Sequence, residues 1–344
     1  ALAREQGTAQ SRRDLAVSYS RVGEVHEALG DRANLEEALK RYQQALDNSE
    51  ALAGELGTAE SRRDLAVNYS QMGRVYETLG GQTNLEQALE WYQKGLELRE
   101  ALAEELDTAQ SHRDLTMGYH RVGGVCKALG GQANLEQALE LYQKGLEYAE
   151  ALAREQNTAR SRRDLAICHN KVGEAYEALG GQANLERALE GYQRGLELTE
   201  ALAREQGTAQ SRRDLIISCN RVGGIYEALG GQANLKQALE LYRRGMELAE
   251  ALVRELNTVS AYDDLAVSYY HVGSCLPEGA EERRRCLMQF LELSERLFRQ
   301  TQSQRHQEFV EEAHQLLGEG ETAAQPATHP TKRSLWSKLF GRRK

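Results

Sequence analysis

Four groups of residues have the types and spacing that chemistry could use. The glycine strings RVGGVCKALGG (121–131) and RVGGIYEALGG (221–231) could cradle a phosphate. A phosphate loop, however, follows its glycines with Lys and then Ser or Thr, so that the ammonium reaches the phosphates; neither string does. Glu311-x-x-His314 is half of a di-iron motif, which needs a second such pair and two further glutamates. Cys168-His169 sets a thiol beside an imidazole, but no acid or base stands at a consistent spacing to complete a nucleophile, and the equivalent residues fifty positions later are Ser218-Cys219. The recurrent string Ser-Arg-Arg-Asp, first at Ser11 to Asp14, offers two cations beside a carboxylate. Helix capping and ion pairing between repeats account for it better than a ligand does. These readings imply no catalytic residue, no metal, no cofactor and no small-molecule substrate.

The bulk properties narrow the classes further. The chain has 344 residues and a net charge of -9, which argues against a nucleic-acid binder with a generally basic surface. Mean hydropathy is -0.64, and no apolar run approaches the ~18 residues of a membrane span. The five cysteines (Cys126, Cys168, Cys219, Cys275 and Cys286) form no CxxC, so neither a disulfide framework nor a zinc site is signalled. A reduced, cytoplasmic setting is the expectation, and no signal peptide is visible.

What positions these residues is one repeat. The segment 1–50 recurs with a strict period of 50 residues, in copies beginning at Ala1, Ala51, Ala101, Ala151, Ala201 and Ala251. The fourth and fifth copies agree at 36 of 50 columns, and the sixth departs at Pro277. Each copy holds two helix patterns. The first runs from about residue 11 to 29, with Leu15, Tyr19, Val22 and His26 at spacings of three and four. Its start is marked by either Ser11, in a Ser-x-x-Asp capping box, or Thr8, and its end by Gly30. The second is expected to open with Asn34 as N-cap and to bury Leu35, Ala38, Leu39, Tyr42, Ala45 and Leu46. It should end near Leu56, because the next residue in each copy (Gly7, Gly57, Asp107, Asn157, Gly207, Asn257) is of a type that tolerates the left-handed conformation.

These residues resemble the tetratricopeptide repeat. Tyr19-x2-Val22-Gly23-x2-His26 matches the first half of its signature, with Tyr76, Tyr176 and Tyr226 at the His26 column and Cys126 departing there. Ala38-x3-Tyr42-x2-Ala45 matches the second half. Three extra residues between the helices (32–34) and longer helices depart from the family. The resemblance covers roughly residues 8–300. It implies an all-α fold, an α-solenoid in which helix hairpins stack as a right-handed superhelix, with the first helix of each copy lining a concave groove. The groove columns should be 17, 20, 21, 24, 27 and 28. Among them Arg74, His120, Arg121, Asn170, Lys171, Asn220 and Arg221 are the candidate binding residues. The two asparagines would bond a peptide backbone, and Arg121, Lys171 and Arg221 would pair with its acidic groups. The carboxylate clamp of some family members needs Lys at column 17, which is apolar here (Val17, Val67, Met117, Ile167, Ile217).

The expected organisation is a six-copy array over 1–300, a capping helix over 301–317, a linker over 318–331 and a basic tail over 332–344. The tail, KRSLWSKLFGRRK, has six basic residues and no acidic ones. Leu335, Trp336, Leu339 and Phe340 fall on one face of a short helix, with Lys338, Arg342 and Arg343 around them. That is the composition of an interfacial anchor on anionic lipid at the inner face of a membrane; docking on a partner protein or on the acidic array itself, and a disordered tail without a role, are the rivals. The sequence thus points to a protein-interaction scaffold that binds a protein or peptide partner and is not an enzyme. Because Ala1-Leu2-Ala3 matches the closing part of a helix, a second reading is the sensor arm of a larger bacterial signalling ATPase or protease.

Overall fold

A computed structural model describes residues 8–318; the tail residues Leu335 to Arg343 singled out above lie outside them. Every regular element among the described residues is an α-helix. The first helices of the copies (A helices) are α1 (Ala9–Leu29), α3 (Ala59–Leu79), α5 (Ala109–Leu129), α7 (Ala159–Leu179), α9 (Ala209–Leu229) and α11 (Val259–Cys275). The second (B helices) are α2 (Arg32–Leu56), α4 (Gln82–Leu106), α6 (Gln132–Gln156), α8 (Gln182–Gln206), α10 (Gln232–Leu256) and α12 (Glu281–Thr301), followed by α13 (Gln304–Leu317). The chain forms two compact units, Ala1–Gly191 and Tyr192–Lys344. Within each, a helix packs on the next in sequence, giving the all-α hairpin array of the solenoid class that the repeat implied.

Local chemistry sets the helix ends. Thr8 and its equivalents Thr58, Thr108, Thr158, Thr208 and Thr258 are the N-caps of the A helices, each side chain accepting from the backbone N–H three residues on. Such a cap contributes about 1 kcal/mol. Ser11 is therefore the third helical residue and not the cap, and Ser111 and Ser161 complete a reciprocal box with their threonines. The B helices begin earlier than the asparagine suggested. Asn84, Asn134 and Asn234 lie inside the first turn and donate back to the carbonyls of Gly80, Gly130 and Gly230 at 2.7–2.8 Å. The three extra residues between the helices are thus helical. Gly80 and Gly81, at φ 67° and 81°, make the link that only glycine adopts at low cost. In the first copy Asp31 replaces the second glycine and caps α2 by accepting from the Asn34 N–H. At the far ends Gly57, Asp107, Asn157, Gly207 and Asn257 all have φ between 43° and 58°, as their types foretold.

The expected core is buried: Leu35, Ala38, Tyr42, Ala45 and Leu46 are at most 4% exposed, while Leu39 is half-buried. Within a hairpin the B-helix tyrosine lies on the A-helix glycine. A Cβ added to Gly23, Gly73, Gly123 or Gly223 would stand 2.6–2.7 Å from a ring carbon of Tyr42, Tyr92, Tyr142 or Tyr242. In the sixth copy Leu287 takes the place of the tyrosine against Gly273. Pro277 ends that copy's likeness to the others, and α11 stops short at Cys275. The helix α13 packs on α12 through His306, Phe309 and Ala313, and turns Gln304, Gln307, Glu311 and Gln315 to solvent.

A paired substitution tests this account. Gly123→Ala should lower stability by about 1–3 kcal/mol, because the buried Tyr142 ring has no room to retreat. Gly54→Ala, in an exposed helix interior with nothing within 4 Å, should raise it by about 0.5–1 kcal/mol. Urea unfolding midpoints of the two variants against wild type measure both.

Candidate peptide-binding face

Between the tightly packed columns the A helices carry one exposed apolar row. In the first unit Val17, Val67, Met117 and Ile167 occupy the same column of α1, α3, α5 and α7 and are 40–50% exposed. A helix interior puts such residues at the surface only on the face that no neighbour covers. In the second unit Ile217 is half-buried and Val267 buried.

Ion-pair rungs run beside this row. Arg13 reaches Asp64 of the next copy at 2.6 Å, Arg63 reaches Asp114 at 2.7 Å and Arg113 reaches Asp164 at 3.6 Å; in the second unit Arg213 reaches Asp264. The preceding arginine pairs within its own hairpin, Arg12 on α1 with Glu55 on α2 and Arg62 on α3 with Glu105 on α4. The Ser-Arg-Arg-Asp string is therefore a device for stacking copies, as its residue types suggested. Exposed pairs of this kind contribute little stability each, but a fixed set of them defines how one copy meets the next.

The structure sorts the candidate residues into those on the face, those locked and those turned inward. Arg121 is half-buried, with its guanidinium 5.6 Å from the centre of the Tyr92 ring and no carboxylate within ion-pair distance among the described residues. Lys171 is half-buried and shares Glu174 with Lys127, at 3.0 and 2.6 Å. In the second unit Arg221 lies 5.6 Å over the Tyr192 ring. Arg74 is engaged inside the array, bonding Glu27 at 2.6 Å and the Tyr42 hydroxyl at 3.1 Å across copies. His120, Asn170 and Asn220 share a column that points between the helices. Asn220 is 1% exposed, its Oδ1 3.2 Å from where a Cβ on Gly245 would be. His120 Nε2 stands 3.5 Å from the same point on Gly145, and Asn170 is half-buried with its Oδ1 enclosed. The cause is the glycine facing this column on the B helix, which leaves room for a polar side chain to fold inward; the first copy has Ala45 there and only Ser20 opposite.

The thiol question also resolves differently from the sequence pairing. Cys168 meets His120 of the preceding copy, Sγ to Nε2 at 3.5 Å. Burial pushes the Cys168 thiol up to about 12. Burial first, and then Lys171, pull His120 down to about 4. Both are neutral at pH 7, so the pair holds no thiolate to act as a nucleophile. Glu311 faces solvent and accepts from Gln307; among the described residues no group of three or more His, Cys, Asp and Glu could hold a metal. No helix among them is long and apolar enough to cross a membrane.

One charged residue of this region belongs to no motif. Arg99, on α4, is 8% exposed. Its column otherwise reads Ser49, Ala149, Thr199 and Ala249, so a lone long cation among small residues was the available signal.

No family model matches the chain, and no curated protein does either. Solved structures do match. The chain is similar to the apo form of RapI, with a TM-score of 0.55 and 15% identity over 89% of this chain and 99% of that one. It is similar to BtubC from P. vanneervenii, with a TM-score of 0.52 and 14% identity over 86% and 96%. At such identities the likeness is one of fold, and both neighbours are tetratricopeptide-like repeat proteins.

The inward histidine gives a pH signature. The unfolded chain protonates His120 from pH 6.5 downwards and the native protein only near pH 4, so stability is intact above 6.5 and is lost as pH falls from 6.5 towards 4. His120→Asn, the residue of that column in the fourth and fifth copies, should remove part of this loss, on the order of 2–3 kcal/mol at pH 4. Urea unfolding of both proteins at pH 7 and pH 4 checks it: equal acid destabilisation of the two would show that His120 titrates freely in the native state.

Proposed function

We propose that the chain is a non-enzymatic protein-interaction scaffold that holds a segment of a partner protein along the A-helix face of its first four copies. The observation that carries this reading is the exposed row Val17, Val67, Met117 and Ile167. Isolated exposed apolar residues are ordinary, but a row repeated at one column marks an interaction surface. Packed helices lie about 8–10 Å apart, so the row presents apolar sites at that order of spacing. A segment in the polyproline II conformation has three residues per turn and rises about 3.1 Å per residue, so it turns every third side chain to them. Arg121 and Lys171 stand on the same face and supply cations for acidic residues of the segment. The neutral Cys168–His120 pair gives the face no catalysis.

The tail supports a second element of the reading. Leu335, Trp336, Leu339 and Phe340, with Lys338, Arg342 and Arg343, have the make-up of a weak, reversible anchor on anionic lipid, each basic residue contributing about 1 kcal/mol near the surface.

Two experiments test these roles. A displayed library of 12-residue peptides selected on the intact protein should yield binders with an apolar residue at every third position. Met117→Glu should abolish their binding, and Arg121→Glu with Lys171→Glu should weaken it about tenfold, which corresponds to about 1.4 kcal/mol. Peptides that bind all variants equally would remove the face from consideration. For the tail, vesicles of anionic lipid should sediment the full chain and leave in solution a chain ending at Glu321; equal sedimentation would exclude the anchor.

A further inference from the structure

Arg99 is a buried cation with no anion assigned to it. It leaves α4 and passes between the neighbouring A helices α3 and α5. Its Nη2 donates to the Ala66 carbonyl oxygen at 3.0 Å and to Ser70 Oγ at 2.8 Å. Both acceptors are neutral. Its Nη1 is enclosed, 2.9 Å from where a Cβ on Gly95 would be, and has no hydrogen-bond partner among the described residues. The Cδ lies 3.2 Å from the corresponding point on Gly118, a column held in the other copies by Ser18, Asn68, Cys168, Ser218 and Ser268. Two glycines thus make the passage that this one arginine fills.

The charges around it do not compensate. Those that act on it are Arg121, Asp114 and Arg63, and Asp114 is already held by Arg63 at 2.7 Å. Burial, and next Arg121, draw Arg99 down to about 10, so it remains protonated at neutral pH. A buried charge is ordinarily paired, because a desolvated ion without a counter-ion is costly. Here the neighbouring helices also carry Val67 and Met117 of the exposed row, each adjacent in sequence to a residue against Arg99. The electrostatic demand therefore sits between the two helices that carry this part of the proposed binding face.

We propose that Arg99 and Arg121 form an oxyanion subsite between the second and third copies, taking an acidic side chain of the bound partner segment and fixing its register. The subsite rests on the A-helix face being the binding face. Register follows from its uniqueness: the column holds Ser, Ala or Thr in the second helices of the other full copies, so only one placement of the segment brings a carboxylate to two guanidinia together.

The test uses the intact protein and two variants drawn from its own repeats, Arg99→Ala (the residue of copies three and five) and Arg121→Gln (the residue of copy two). The probes are inorganic phosphate and two fluorescein-labelled 12-residue peptides with Leu at every third position, one bearing Glu and the other Gln in the central interval. Both variants should fold, as judged by helical circular dichroism and by melting in chloride. Phosphate should raise the wild-type melting temperature above that in chloride of equal ionic strength, and Arg99→Ala should lose the rise. The Glu peptide should bind wild type about tenfold more tightly than the Gln peptide, a ratio that falls below about twofold in either variant. Loss of the phosphate effect in Arg99→Ala, with neither peptide bound, would leave an anion site and overturn the face as a peptide-binding surface. A phosphate response and a Glu preference both unchanged in Arg99→Ala would overturn the subsite and leave the face standing.

Discussion

The contact on which the array depends is a tyrosine ring of one helix lying flat on a glycine of its hairpin partner. At 2.6–2.7 Å from a hypothetical Cβ, the rings of Tyr42, Tyr92, Tyr142 and Tyr242 occupy the space that any other residue would need. The glycine gives up helix propensity, by roughly 0.5–1 kcal/mol against alanine, and the buried aromatic surface offsets it. The ring also presents its hydroxyl at the edge of the hairpin, where Tyr42 donates to Glu27 and Tyr92 to Glu77. Hairpin closure and edge polarity are thus set by one pair of columns.

Stacking then supplies what a hairpin lacks. The first copy shows its size: Val22 and Val25 on α1 are 43% and 63% exposed, whereas Met72 and Val75 at the same columns of α3 are 3% and 0% exposed beneath α2. An apolar stripe that would face water in one copy is core in the next, which is why a repeat of this kind is stable only as an array. The arginine rungs add direction. Arg12 ties α1 to α2 within its own hairpin through Glu55, and Arg13 reaches Asp64 of the following one, so adjacent hairpins meet in one register and not a slipped one.

With packing and register assigned to fixed columns, the exposed A-helix face is free to vary. Its apolar row is kept in type across the first four copies, while the charges beside it change from copy to copy. A surface of that kind can be uniform in shape and particular in charge, and Arg99 is the sharpest particular. A cation placed between helices without a counter-ion costs stability.

The sequence by itself determined the elements and their order. The 50-residue period, the apolar spacing and the left-handed residues Gly57, Asp107, Asn157 and Asn257 act through local backbone physics, which a sequence displays directly. It also carried the meaning of the Ser-Arg-Arg-Asp string, because a repeat fixes which residue meets which one period later. It did not disclose that Asn84 lies within a helix and not before it, since a glycine pair with positive φ can begin a helix three residues earlier. The site was legible only in part. Arg121 is half-buried near the Tyr92 ring and Lys171 is half-buried on Glu174, while His120 and Asn220 turn inward and Arg74 is held by Glu27. Those outcomes belong to tertiary structure, because a side chain's direction at a helix border depends on the space its neighbour leaves. A glycine across the interface, at Gly145 or Gly245, draws a polar group in, and the passage between Gly95 and Gly118 lets Arg99 through.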